Sequence, residues 1–122
     1  MPAPRPIAIV IEDDAEAADA LGLVLSDWGA DVVHGMDEKS LVRDIGRRAA
    51  AVNWIIADFH LGPRPNGVTL AGDLVREMPQ ARVLVLSGSF QGHATAAAQS
   101  AGFDMLSKPA PAAAIISWLE RG

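Results

Sequence analysis

The 122 residues include no cysteine and no tyrosine. Without thiols there is no disulfide framework, no thiolate metal site and no cysteine nucleophile. No stretch approaches the roughly 20 apolar residues that a membrane-spanning helix needs. The N-terminus, Met1-Pro2-Ala3-Pro4-Arg5-Pro6, is broken by three prolines and lacks the apolar stretch of a signal peptide. Positive charge is scarce as well. A net charge of -5 gives no bulk electrostatic support to a nucleic-acid-binding surface. No G-x-G-x-x-G follows the first apolar run, which disfavours a dinucleotide site. Repeats and linkers are also missing. These absences predict a single soluble, reduced, cytoplasmic domain with neither nucleic acid nor membrane as a partner.

What is present is an alternation of two hydrophobic periods. Ile7–Ile11 is a continuous apolar run rich in β-branched residues, as expected of a strand buried on both faces. Ala15–Trp28 carries apolar residues at helical spacing, with Gly29 as the stop. Asp31–His34 reads as a short strand. Residues 38–50 read as a helix with Leu41, Val42, Ile45 and Ala49 on one face, although Gly46 interrupts it. A strand at 54–58 leads into a loop at 61–67 that is dense in glycine and proline. A helix at 68–78 stops at Pro79. The strand Arg82–Ser87, a helix at about 92–101, a strand at 103–107 and the helix Ala112–Glu120 complete the chain. Trp28, Trp54 and Trp118 are expected to pack in or against the core.

Five strands alternating with five helices predict an α/β domain over residues 1–122, a parallel sheet with helices on both faces. Right-handed crossovers put every strand's C-terminal end at one edge. Ligands of such sheets bind beyond that edge, near a topological switch point. The chain places chemistry there. The first strand runs into Glu12 and Asp13, the third ends at Asp58, the fourth at Ser87, and the fifth runs into Lys108. Each has a bland reading alone: a helix start that complements the macrodipole, a strand cap, a turn residue, a solvated charge. Together they predict one cleft.

Crowded carboxylates raise each other's pKa unless a cation neutralises them. Magnesium suits a site with a few hard oxygen ligands and room for a phosphate. A lysine offers a compact charge to a phosphoryl oxygen, and a hydroxyl can donate to another. The set would stabilise a phosphoryl group under attack by a carboxylate.

In this arrangement the chain resembles, over nearly all its length, the receiver domains of two-component response regulators. Ile9-Val10-Ile11-Glu12-Asp13-Asp14 is similar to the family's first strand and acidic pair. Ile55-Ile56-Ala57-Asp58 resembles its phosphoacceptor strand, and Asn66-Gly67 the approach to its third helix. Leu84-Val85-Leu86-Ser87-Gly88 resembles the strand with the Ser/Thr switch residue. Ala101-Gly102-Phe103-Asp104 through Ser107-Lys108-Pro109 resembles the final signature, whose Lys-Pro bond is commonly cis. Glu12-Asp13, rather than Asp13-Asp14, is taken as the acidic pair because four apolar residues lead directly into it.

The resemblance implies a flavodoxin-like fold with strand order 2-1-3-4-5 and a phosphorylation switch in a phosphorelay. Asp58 would accept a phosphoryl group from a sensor histidine kinase or a histidine phosphotransfer protein. Asp13 and Asp58 would ligate Mg2+ through side chains, Glu12 through a water, and His60 through its main-chain carbonyl. Ser87 would turn toward the phosphoryl group and Lys108 would pair with it. Output would pass by protein–protein interaction to a downstream protein, with no effector domain after Glu120, and a homodimer is compatible with this. Such a domain is not an enzyme, catalysing only its own phosphorylation and dephosphorylation. The competing classes are a magnesium-dependent phosphatase or phosphotransferase with an aspartyl nucleophile, and a receiver-like scaffold that is never phosphorylated.

Two places depart from the family pattern. Met105 stands where many receivers have Tyr or Phe, with Phe103 on the same face by strand alternation. The loop after Asp58 is long and stiffened by Pro63 and Pro65. His60 and Ser89 lie two residues beyond Asp58 and Ser87, where they would influence the lifetime of a phosphoryl group. His34 and His93 carry no functional argument.

Overall fold

A computed structural model describes residues 5–61, 66–88 and 92–121. The expectations placed on residues 62–65 of the loop and on Ser89 lie outside them. Five strands form one parallel sheet in the order β2-β1-β3-β4-β5. They are β1 (Ile7–Ile11), β2 (Asp31–His34), β3 (Val52–Asp58), β4 (Arg82–Ser87) and β5 (Asp104–Ser107). The helices are α1 (Ala15–Trp28), α2 (Glu38–Ile45), α3 (Gly67–Glu77), α4 (Gly92–Ala101) and α5 (Ala112–Glu120).

Strand alternation sorts the core into two layers. Ile7, Ile9 and Ile11 of β1 pack with Ile55, Ala57, Val83 and Val85 under α2, α3 and α4. Ala8 and Val10 face the other way, with Trp54, Ile56, Leu84 and Leu86, under α1 and α5. β1 is therefore apolar at every position and wholly buried. Each buried Leu, Ile or Val stabilises the fold by about 1.5–3 kcal/mol. All three tryptophans belong to the second layer: Trp118 is fully enclosed, Trp54 is buried, and Trp28 packs edge-on against Trp54 at 5.3 Å.

Polar caps start α1, α2 and α3 at the edge where the strands end. Asp14 accepts from the Glu16 N–H, Asp37 from the Ser40 N–H and Asn66 from the Thr69 N–H. α1 ends at Gly29, at φ 124°. The helix expected over 38–50 is shorter. At Gly46 the backbone turns to φ 56°, ψ -124°, and residues Gly46–Ala51 continue as a 3₁₀ helix. That conformation is nearly closed to residues with a Cβ, so the glycine ends α2. β3 begins two residues earlier than expected, at Val52. Asn53 is exposed there, and its side-chain oxygen accepts the Ile7 N–H at 3.1 Å.

Candidate functional site

β1, β3 and β4 lie side by side, so their last residues arrive together. Ile11 pairs with Ala57, Asp58 with Leu86, and Ser87 with Ser107. Beyond β1, Glu12 is buried at 4% exposure, Asp13 is exposed, and Asp14 turns away to cap α1. The three consecutive acids thus have separate duties. A carboxylate oxygen from each of Glu12, Asp13 and Asp58 lies within 4.8 Å of the other two.

Lys108 reaches this cluster from the far end of the chain. Its Nζ lies 3.2 Å from Glu12 Oε2 and 3.1 Å from Asp58 Oδ2, a single ammonium bridging two buried acids. The Lys108 main-chain N–H donates to the Ser87 carbonyl at 2.8 Å, which fixes the approach just before the cis Lys108–Pro109 bond. Ser87 itself is buried at the end of β4.

The electrostatics follow from this crowding. Burial raises the Glu12 carboxyl above its ordinary pKa. The Asp14 N–H opposes that rise, the Asp58 charge adds to it, and Lys108 only partly offsets it. For Lys108, burial would lower the ammonium. Its bonds and attraction to Asp58, and then to Glu12, more than reverse this and raise it.

Asp58 is held from its other side as well. Oδ1 accepts the His60 N–H at 3.2 Å, and the Phe59 N–H donates to Leu86 O at 2.9 Å. The His60 ring is exposed and meets Phe59 edge-on at 5.0 Å. Gly67 closes the loop, donating its N–H to Phe59 O at 3.0 Å. A Cβ there would overlap the Asp58 carbonyl oxygen and sit 2.9 Å from its carbon. Only glycine allows so close an approach.

The donor set suits a small hard cation. Oxygens on one octahedral Mg2+ lie about 3 Å apart when cis and about 4.2 Å when trans, given bonds near 2.1 Å. The three oxygens lie within 4.8 Å of one another, close to that range, so Glu12, Asp13 and Asp58 could share such an ion directly or through a water.

Six residues were expected here, and the structure brings Glu12, Asp13, Asp58 and Lys108 into direct proximity. Ser87 joins through its main chain to Lys108, and His60 through its N–H to Asp58. Met105 packs with Phe103 on the α2–α4 side, and its sulfur accepts from the Thr95 hydroxyl of α4 at 3.5 Å. Sequence reasoning missed His34, whose Nε2 lies 2.7 Å from the Glu12 carbonyl oxygen. A lone histidine closing an edge strand gives no pattern from which to read this.

A family model described as the response regulator receiver domain matches residues 8–120. Comparison with curated proteins returned no match. Among solved structures, a response regulator from Burkholderia pseudomallei, with a phosphorylated aspartic acid, calcium ion and citrate, is 28% identical at a TM-score of 0.78. The alignment covers 93% of this chain and 66% of that one. NtrX from Brucella abortus, in complex with ADP, is 25% identical at a TM-score of 0.82, over 97% of this chain and 27% of that one. A response regulator receiver domain from Clostridium thermocellum shares the fold at a TM-score of 0.81 and 18% identity, covering 95% of this chain and 92% of that one.

Proposed function

Because the chain belongs to the response regulator receiver domain family, we propose that it is a phosphorylation switch whose acceptor is Asp58. The observation that carries this reading is the Lys108 ammonium held between Glu12 and Asp58, beside Asp13, at the edge where the strands end. The donor is a phosphohistidine on a sensor histidine kinase or a phosphotransfer protein. A carboxylate oxygen of Asp58 attacks the phosphorus, the new O–P bond forms as the P–N bond breaks, and the imidazole leaves with the electron pair and takes up a proton. Lys108 already touches Oδ2 and needs only a small movement to pair with a phosphoryl oxygen. Ser87 supplies a hydroxyl from the neighbouring strand. Asp13 and Asp58 would hold Mg2+ directly, Glu12 through a water, and His60 through its carbonyl. When bound, the ion neutralises acid charge that would repel an incoming phosphate.

The acyl phosphate carries about -1.5 to -2 charge, by analogy with other phosphorylated side chains, in place of the single negative charge of the Asp58 carboxylate, where one ammonium now balances two acids. That imbalance biases the surface around β4, α4 and β5, and the output passes to a protein partner. The test is incubation with Mg2+ and a small phosphodonor, or with beryllofluoride, beside Asp58→Asn. One stable adduct per chain, lost in the variant, supports the switch. Many turnovers per chain would instead identify a phosphatase, and no adduct under any condition would leave a scaffold.

A further inference from the structure

β1 and β2 pair in parallel up to Val10 and His34, and the Gly35 N–H then donates to the Val10 carbonyl at 3.2 Å. Acceptors on one side of a strand recur at every second residue. The next carbonyl after Val10 on that side is Glu12, but β2 has ended at His34. The His34 ring takes the place of the missing main-chain donor. Its Nε2 lies 2.7 Å from Glu12 O, and because a carbonyl only accepts, Nε2 carries the hydrogen.

We propose that His34 is a positioning residue for the acidic pair, acting as one more rung of the β1–β2 ladder. The Glu12 carbonyl and the Asp13 N–H share one planar peptide. Holding its oxygen fixes the rotation of that plane, and with it the direction in which the Glu12 and Asp13 side chains leave the backbone. Cation bonds tolerate only about 0.2 Å of misplacement, so a peptide free to rock would loosen both acids together. The inference rests on the reading of Glu12, Asp13 and Asp58 as the Mg2+ site.

The test titrates the intact protein with Mg2+ by calorimetry, beside His34→Ala, His34→Gln and His34→Asn. Glutamine places an N–H as many bonds from Cα as Nε2, whereas asparagine falls one carbon short. Outer-shell contacts commonly change metal affinity by about 10–100-fold. For a contact made through the main chain we expect His34→Ala and His34→Asn to bind about three- to tenfold more weakly, with His34→Gln within about twofold of the parent. Thermal unfolding monitors the fold, and the contrast between Gln and Asn is decisive even if Ala melts early. Equal binding by all the variants, or a Gln variant as weak as Ala, overturns the inference alone. An unsubstituted protein that binds no Mg2+ overturns the cation site and the inference together.

Discussion

Glu12 and Lys108 share a hydrogen bond, yet their ionisations act on stability in opposite ways. The folded state holds the Glu12 proton more tightly than the unfolded chain does. Stability therefore falls as pH rises from the ordinary 4.5 through the higher folded value, and the full cost is present above it. Lys108, raised above 10.5, contributes stability that persists to that pH and is lost only beyond it, through the folded value. Glu12→Gln should accordingly be more stable than the parent at neutral pH without divalent cations, and equal to it in acid. Urea unfolding across the pH range checks this. Lys108→Met should do the reverse, leaving two buried acids without their cation. Its cost should lie between the ~1 kcal/mol of an exposed ion pair and the ~3–5 kcal/mol of a buried one, and should shrink in acid. A cost independent of pH would mean the lysine stabilises through its aliphatic stem instead.

At the scale of elements, Gly46 offers a test of sign. Were it inside a helix, Gly46→Ala would stabilise the protein by about 1 kcal/mol. At φ 56°, ψ -124° the same change should destabilise by about 1–3 kcal/mol, read from the urea midpoint. This is also where sequence reading fell short. Leu41, Val42, Ile45 and Ala49 keep helical spacing across Gly46, and periodicity cannot see a backbone angle. α1 and β4 were legible to their end residues, because an acid cap and a glycine bound the first and an apolar run bounds the second. Asp58 was legible as a single acid closing an apolar strand, whereas Lys108 follows the mixed strand Asp104-Met105-Leu106-Ser107 and was drawn in only by the company of the other strand-end residues. The start of β3 was hidden because Asn53 serves as a hydrogen-bond acceptor for Ile7 rather than as a break.

For the whole molecule, the proposed cation site is assembled from β1 and β3 and neutralised by a lysine following β5, so only the folded chain possesses it. Ligand binding then adds to global stability. Mg2+ at ten times its dissociation constant should raise the unfolding free energy by about 1.4 kcal/mol, and Asp58→Asn should abolish the gain. Denaturant unfolding with and without Mg2+ measures it. The order of the parts along the chain has a further consequence during synthesis. Glu12, Asp13 and Asp58 leave the ribosome long before Lys108, whose partner Glu12 stands 96 residues earlier. A nascent chain that paired its first four strands before the fifth emerged would gather its acids without the ammonium that balances them. The last strand delivers the counter-charge, and with it a late electrostatic reason for the domain to close.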